Sequence, residues 1–216
     1  DGFRTINQRV LRHHALMGNV EAELPTEGDD AGCGCAYPAH VDAAVVERSN
    51  RIHARLKATA QRHENLCARL NSLPMVLRYE VGGCRVGVVH GDAESLAGWR
   101  FGIDEIHKPD QALWLRAAFN KANVDVFACS HTCEPVLKLL ADEDRNFAVI
   151  NNGAAGMPNA GGKFPGLITR IANTPSPHPV AHGMRMANAY IDALPVVYDQ
   201  AQWKHMFLSN WPERSD

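Results

Sequence analysis

VDVFACSHTC, residues Val124–Cys133, is the segment from which we infer the architecture of this chain. Its first half, as far as Ala128, is apolar and rich in β-branched and aromatic residues, which predicts a buried strand. A turn of small residues follows and presents the sequence SHTC, with His131, just past the strand's carboxyl end. Polar side chains at that end of a strand are typical of functional sites in α/β sheets.

A second segment has the same build. Arg85–Asp92, RVGVVHGD, is a short β-branched run that ends in His90 and then Gly91. Two strands that each end on a histidine predict a shared site. The alternative is a pair of unrelated histidines, each satisfied at the edge of a sheet.

Length and charge limit the classes of function. With 216 residues the chain can bury one good core, and we expect a single domain over residues 1–216. The net charge is −2 and basic residues are nowhere in excess, so we find no footprint for nucleic acid or for an acidic membrane surface. No apolar run approaches the roughly 20 residues that span a bilayer, and no signal segment is recognisable at the start. We expect a soluble cytoplasmic protein, with an oligomer as one possibility, and a small-molecule or peptide-scale partner.

The cysteines fit neither a zinc knuckle nor a disulfide framework, so we expect reduced thiols. Two of them, Cys33 and Cys35, lie in a Gly-, Asp- and Pro-rich segment, Glu23–Pro38, that predicts an ordered loop. Three interpretations of this pair stay open: a metal site, a redox pair, or small residues at the rim of an active site.

The remaining patterns alternate between helices and strands. Val41–Leu73 predicts a long amphipathic helix, with an apolar stripe that includes Val45 and Ile52, and with His53 and His63 on its solvated side. Met75–Val89 predicts a hairpin that turns at Gly82-Gly83. The other predicted helices are Gln111–Asn123, Glu134–Leu140 and His182–Asp192, and the other predicted strands are Phe147–Ile150, Gly166–Ile171 and Pro195–Tyr198. A short apolar run that ends in Gly18-Asn19 predicts a strand leading into a turn. Together these patterns indicate a layered α/β architecture.

The order of the turns is more specific than any turn alone. GNVE stands at 18–21, a strand ends in HG at 90–91, SHTCEP follows at 130–135, and INNGAAGMP occupies 150–158. This succession resembles the calcineurin-like metallophosphoesterase superfamily, and within it the small prokaryotic phosphodiesterase branch. There the motifs are G-N-x-D/E, a strand ending in H-G, G-H-T-H-x-P, and N-P-G-S. The resemblance runs from about Leu16 to Ile171 and implies a layered α-β-β-α sandwich of mixed sheets.

The resemblance also implies site residues. Asn19 and His90 match ligands of one metal ion, and His131 matches the first histidine of G-H-T-H. Paired divalent ions such as Mn²⁺, Fe²⁺ or Zn²⁺ accept imidazole and amide ligands, and they can activate a water for attack on a phosphoryl group. The implied activity is metal-dependent hydrolysis of a small phosphodiester or phosphomonoester, with Asn19, His90 and His131 as the catalytic set.

Two positions depart from the family pattern. Cys133 stands where the second histidine of G-H-T-H belongs, so it is either a ligand suited to Zn²⁺ or Fe²⁺ or a structural cysteine. Val20 stands where many relatives keep a histidine that assists the leaving group. Cys129 and Cys133 also flank His131, and a Cys–His nucleophile is a further alternative that we regard as weaker.

The motifs D-x-H and G-D, which open the family's sequences, do not precede Gly18. Gly28-Asp29 and Gly91-Asp92 both follow it, in the wrong order. We therefore expect that a first strand–helix–strand unit is missing from this sequence and belongs to a longer natural protein. The alternative function is a non-catalytic relative that serves as a binding or regulatory module. Arg100 and Arg170 are candidates for gripping a substrate phosphate.

Overall fold

The computed structural model describes residues 2–25, 34–142, 145–156 and 166–210. They form two compact units, each described by itself. The first comprises the described residues up to Leu77 together with Val89–Trp99. The second comprises Arg78–Val88 and the described residues from Arg100 onward. Residues 26–33, with Gly28-Asp29 and Cys33, and residues 157–165, which include the last two residues of INNGAAGMP, lie outside the described residues.

The first unit is helical. Its helices are α1 (Gly2–Val10), α2 (Asn19–Glu23), α3 (Ala43–Ala60), a 3₁₀ turn (Gln61–His63) and α4 (Glu64–Asn71). The long helix predicted over 41–73 is therefore confirmed in type but interrupted, because His63 leaves the helical region at φ −135°, ψ 50°. Five buried residues form the core, Leu24, Ala60, Leu66, Cys67 and Leu70, and Phe3 and Leu11 of the N-terminal segment pack against it.

The inward face of α3 differs from the predicted one. Val45 and Ile52 of the expected apolar stripe are 37% and 45% exposed, whereas His53 is only 3% exposed. The prediction of a solvated His53 is therefore wrong. His53 is buried because it lies on the inward face of α3. That face is formed by His53, Lys57 and Ala60, which are spaced four and three residues apart. Burial lowers the pKa of His53, and neighbouring Lys57 lowers it further.

A five-stranded sheet runs in the order β1-β2-β3-β5-β4. Its strands are β1 (Val76–Val81), β2 (Cys84–Val89), β3 (Val126–Cys129), β4 (Pro135–Ala141) and β5 (Asn146–Asn152). The predicted hairpin is confirmed, since Gly82 and Gly83 connect β1 to β2 with φ of 56° and 81°, the backbone that a tight hairpin turn requires. Strands β2, β3 and β5 are parallel, and β4 is antiparallel to β5, so the sheet is mixed.

A second, antiparallel sheet contains β6 (Leu167–Ala172), β7 (His182–Met186) and β8 (Ala189–Pro195) in the order β6-β8-β7. One core joins both sheets, because Val126 and Ile150 of the first cluster with Leu167 and Ile191 of the second. Helix α6 (Gln111–Ala122) contributes Phe119, whose ring lies 4.9 Å from Phe127 and 4.7 Å from Phe147. The predicted α/β sandwich is confirmed, although its second sheet is antiparallel instead of mixed.

The helix predicted over Glu134–Leu140 is wrong, because these residues form strand β4. The apolar residues of the segment recur at a helix-like spacing, yet β4 pairs with β5 along its whole length, from Pro135 opposite Asn152 to Ala141 opposite Asn146. Ladder hydrogen bonds to an existing sheet edge outweigh local helix propensity, which is worth less than 1 kcal/mol per residue, roughly. Val136 and Leu140 are buried as a result.

The C-terminal predictions also need correction. His182–Asp192 is the β7–β8 hairpin and not a helix, and it turns at Ala187 with φ 50°. Strand β8 ends at Pro195, so the strand predicted over Pro195–Tyr198 is wrong as well. Residues ahead of Gly18 form no strand either, since Gly18 is the N-cap of α2. Two further helices are α5 (Ile103–Ile106) and α7 (Gln200–Asn210). No helix within the described residues has the length and apolar character to cross a membrane.

Candidate functional site

Asn19 and His90, two of the predicted ligands, are in direct contact in the first unit. The Oδ1 atom of Asn19 lies 2.7 Å from the Nε2 atom of His90. Asn19 is the first residue of α2 and is 6% exposed, and His90 directly follows β2. Two side chains far apart in sequence thus bring an amide oxygen and an imidazole nitrogen together.

The GNVE motif has a structural explanation. The backbone N–H of Gly18 donates to Oε2 of Glu21 at 3.0 Å, so this carboxylate closes the first turn of α2. A Cβ on Gly18 would lie 2.7 Å from Glu21 Oε2 and 3.2 Å from the His90 ring. Glycine is needed here because two side chains approach the backbone closely. The glutamate of the motif therefore has a capping role, and the asparagine points to His90.

Cys35 fixes the orientation of the Asn19 amide. The Nδ2 of Asn19 donates to Cys35 Sγ at 3.4 Å, which leaves Oδ1 for His90. The carbonyl of Cys35 in turn accepts a hydrogen bond from Trp99 Nε1 at 2.9 Å, and the Trp99 ring lies 5.8 Å from that of Tyr37. Cys35 is thus a supporting residue at the rim of this pair. The sequence left the role of Cys35 open. Tyr37 and Trp99, aromatic residues in loops of otherwise small and polar residues, were the signal that these loops pack together.

Cys35 is also disulfide-bonded. The expectation of reduced cysteines is wrong for this residue. It holds for the other described cysteines, which are free thiols: Cys67, Cys84, Cys129 and Cys133. A cysteine in a disulfide has no thiolate to offer a metal ion, so Cys35 supports Asn19 without being a ligand.

Asp92 shapes the turn that carries His90. Its Oδ1 accepts hydrogen bonds from the backbone N–H groups of Glu94 and Ser95, each at 2.9 Å. A Cβ on Gly98 would fall 1.9 Å from Asp92 Oδ2, so only glycine fits against this carboxylate. Asp92 is 7% exposed. These contacts give Asp92 a positioning role for the His90 turn.

The SHTC segment lies in the second unit, at the carboxyl end of β3. His131 and Thr132 are buried, at 8% and 7% exposure. Cys129 pairs with Asn151 in the parallel β3–β5 ladder, which brings this turn beside the end of β5. Asn151 Nδ2 donates to Thr132 Oγ1 at 2.8 Å, and Asn151 Oδ1 accepts from Gly153 N at 2.9 Å. The third and fourth motifs therefore meet through Asn151.

Cys133 has properties of a structural cysteine. Its backbone is left-handed at φ 61°, and its Sγ donates to the His131 carbonyl at 3.5 Å. Burial raises the pKa of the Cys133 thiol, and the charge of Glu134 raises it further. These contacts are those of a structural cysteine, and a metal ion, when bound, would deprotonate the thiol and make it a ligand.

The two arginines proposed as phosphate grips have structural contacts. Arg170 Nη1 lies 3.3 Å from Asp192 Oδ2 and donates to the carbonyl of Thr174 at 2.9 Å. These contacts join β6 to β8, since Arg170 and Asp192 are cross-strand partners. The Arg100 guanidinium lies 4.6 Å from the Trp114 ring centroid, a cation–π geometry. Neither contact bears on phosphate binding.

The Asn19–His90 pair brings two atoms of metal-ligand type together. Their 2.7 Å separation has the length of a hydrogen bond, in which the amide oxygen can accept only from the ring N–H. Two ligand atoms that each lie about 2.1 Å from one tetrahedral ion are about 3.4 Å apart, so the two side chains would have to separate slightly to hold an ion. Within the part of the chain that the structure describes, no group of three or more His, Cys, Asp or Glu side chains is arranged to hold a metal ion. The described residues of the first unit thus offer two candidate metal-ligand atoms, Asn19 Oδ1 and His90 Nε2.

The chain has recognisable likeness to solved structures only. No protein-family model matches it, and no curated protein matches it. The hypothetical protein PH1004 from Pyrococcus horikoshii OT3 aligns with 98% of this chain and 75% of its own, at 14% identity and TM-score 0.51. Vps29 from Entamoeba histolytica, crystallised with Zn²⁺, aligns with 46% of this chain and 47% of its own, at 14% identity and TM-score 0.30. Vps29 from Chaetomium thermophilum aligns with 40% and 36%, at 22% identity and TM-score 0.26. At this identity, the likeness to PH1004 shows a common fold.

Proposed function

We propose that this chain is a metal-dependent phosphoesterase of the calcineurin-like kind, acting on a small phosphodiester or phosphomonoester. The contact between Asn19 Oδ1 and His90 Nε2 carries the proposal, because amide oxygen and imidazole are ligands of Mn²⁺, Fe²⁺ and Zn²⁺. A divalent ion, when bound, would polarise the phosphoryl oxygen and offset the charge of the phosphate. The order of the GNVE, HG and SHTC motifs supports the same assignment.

The chain's own residues would hold the donor atoms in place. Glu21 closes the first turn of α2, Cys35 orients the Asn19 amide, and Asp92 builds the turn behind His90. In this proposal Asn19 and His90 are metal ligands. His131 is a further candidate ligand in the second unit, on the strength of its motif.

A second candidate is a non-catalytic binding or regulatory module with the same fold. The observation that favours it is Cys133, which stands at the position of a family histidine and whose Sγ donates to the His131 carbonyl at 3.5 Å. Such a module would retain the Asn19–His90 pair and bind at most an ion, without hydrolysis.

The test combines metal content with hydrolysis. The chain is purified without chelator, its Mn, Fe and Zn content is measured by elemental analysis, and hydrolysis of bis(p-nitrophenyl) phosphate is followed in Mn²⁺. His90→Ala and His131→Ala are compared with His205→Ala, an exposed histidine on α7 and the matched control. We expect the parent and the control to bind metal and to hydrolyse the diester. We expect His90→Ala to bind metal about tenfold more weakly or worse.

The outcomes separate the two candidates. Bound metal and hydrolysis that are both lost in His90→Ala and His131→Ala support the phosphoesterase. Metal bound through His90 without hydrolysis supports the non-catalytic module. Folded protein that binds neither Mn²⁺ nor Zn²⁺ and hydrolyses nothing would rule out the phosphoesterase for this chain.

A further inference from the structure

A basic cavity of about 480 Å³ lies in the first unit, outside the Asn19–His90 pair. Three arginines line it, Arg4 of α1, Arg62 of the 3₁₀ turn and Arg69 of α4. His63 and Glu64 also line it. A chain with a net charge of −2 thus has a local excess of positive charge around one concave space.

The cavity wall belongs to packed elements. The ring of His63 stacks on Phe3 of α1, with centroids 5.6 Å apart and an interplanar angle of 19°. Phe3 packs against the core cluster that contains Leu66, itself part of the cavity wall. The arginines are therefore attached to packed elements. Their side chains are exposed, and Arg62 Nη2 donates to Thr59 Oγ1 at 3.4 Å.

The start of α4 adds to the positive field. Glu64, Asn65 and Leu66, the first residues of this eight-residue helix, line the cavity. The positive end of the helix dipole lies at the cavity, where it favours an anion. The carboxylate of Glu64, in the first turn of α4, offsets part of this field.

We propose that this cavity binds a small phosphorylated molecule. Guanidinium groups bind phosphate oxygens through paired, charge-assisted hydrogen bonds, and several guanidinium groups together suit a multiply charged anion. The volume falls within the range of ligand pockets, roughly 300–1,000 Å³, and exceeds what a lone phosphate needs. Leu66 and the amides of Gln8, Gln61 and Asn65 supply apolar and polar contacts for an uncharged part of the ligand.

This site is independent of the proposed hydrolytic function, and its test is designed to keep them apart. Binding of inorganic pyrophosphate is measured by isothermal titration calorimetry in the presence of EDTA, so that no divalent ion contributes. Arg62→Gln and Arg69→Gln each remove one charge from the cavity wall. Arg51→Gln is the matched control, because Arg51 lies on α3 and pairs with Glu47 at 3.3 Å on the exposed helix surface.

We expect saturable binding of one pyrophosphate by the parent and by Arg51→Gln. Each cavity variant should bind at least about tenfold more weakly, as expected for the loss of a charge-assisted hydrogen bond. Circular dichroism and thermal unfolding show whether each variant is folded, and either variant alone suffices for the test. Binding that is unsaturable, or equally strong in Arg51→Gln and in both folded cavity variants, would overturn the proposal.

Discussion

Asn19 Oδ1 and His90 Nε2 are 2.7 Å apart, although the two residues are separated by 71 positions in the sequence. Asn19 faces His90 because it begins a helix whose N-cap is a glycine, and His90 is placed there because it directly follows β2. Each half of the contact depends on its own local hydrogen bonds, those of Glu21 at the start of α2 and those of Asp92 in the turn after β2. Substitutions at these supporting positions can therefore test the position of the pair while Asn19 and His90 stay unchanged.

Gly18→Ala should disturb the pair through its backbone. The added methyl group would lie 2.7 Å from Glu21 Oε2 and 3.2 Å from the His90 ring, so one or both side chains must move. We expect a loss of about 1–2 kcal/mol in the free energy of unfolding, as for the loss of a helix cap, and weaker binding of Mn²⁺. Urea denaturation and metal titration measure the two effects. Gly2→Ala is the control, since a methyl group there would meet nothing within 4 Å; equal stability of the two variants would contradict the prediction.

Asp92→Ala should loosen the turn that follows β2. The substitution leaves two backbone N–H groups, those of Glu94 and Ser95, without their carboxylate acceptor. We expect the free energy of unfolding to fall by about 1–3 kcal/mol, measured by urea denaturation. Asp110→Ala is a suitable comparison, because Asp110 is exposed and makes no side-chain cap hydrogen bond at α6. A change in Asp92→Ala no larger than in Asp110→Ala would refute this role.

The sequence predicted those parts of the fold that depend on local signals. The Gly82-Gly83 turn has a backbone that glycine favours, and β3 is apolar throughout, so both were predictable from their own residues. The helix predicted over Gln111–Asn123 is confirmed as α6, which ends one residue earlier because Asn123 is in the left-handed conformation, at φ 53°. The motif order likewise predicted Asn19 and His90 as partners.

The remaining parts depend on contacts that no local pattern contains. Strand β4 has helix-like apolar spacing and becomes a strand because β5 offers a free edge. His53 is buried because α3 packs with its polar residues inward, against the expectation from its apolar stripe. Cys35 contacts Asn19 and accepts a hydrogen bond from Trp99, 64 positions further along the chain. In each case a residue distant in sequence decides the outcome.

Asp125 should be the chief source of acid sensitivity in the second unit. Burial by itself raises the pKa of Asp125, but hydrogen bonds from Arg85 and Arg145 outweigh it and hold the pKa well below its ordinary value of 3.8. Arg85 Nη2 lies 3.0 Å and Arg145 Nη2 2.5 Å from Asp125 Oδ1. A carboxyl whose pKa is lowered on folding stabilises the protein above its unfolded pKa, and this contribution is lost as the pH falls toward the folded pKa.

Asp125→Asn should therefore reduce the free energy of unfolding at pH 7 by about 2 kcal/mol, a value that allows for the partial exposure of both arginines. The difference from the parent should shrink as the pH falls below about 4. Urea denaturation at pH 7, 5, 4 and 3 measures it. A difference that stays constant over this range would show that the effect does not come from the charge of Asp125.

Cys133→His should strengthen metal binding at the SHTC turn. Cys133 occupies a left-handed backbone position, φ 61°, and histidine is among the residues that tolerate this conformation. The substitution replaces a thiol, whose pKa is raised by burial, by an imidazole, which binds divalent ions as the neutral base near pH 7. If His131 is a ligand, we expect the affinity for Zn²⁺ or Mn²⁺ to rise about tenfold or more. Calorimetric titration measures the affinity.

Two further variants assign the gain to this turn. Cys133→Ala removes the thiol without supplying a ligand, so its metal affinity should equal that of the parent. His131→Ala combined with Cys133→His should lose the gain, because a metal site built on this turn needs both imidazoles. If Cys133→His is folded and binds metal no better than Cys133→Ala, the SHTC turn is not a metal-binding segment. His131, buried at 8% exposure beside Thr132, would then be a structural residue of the β3 turn.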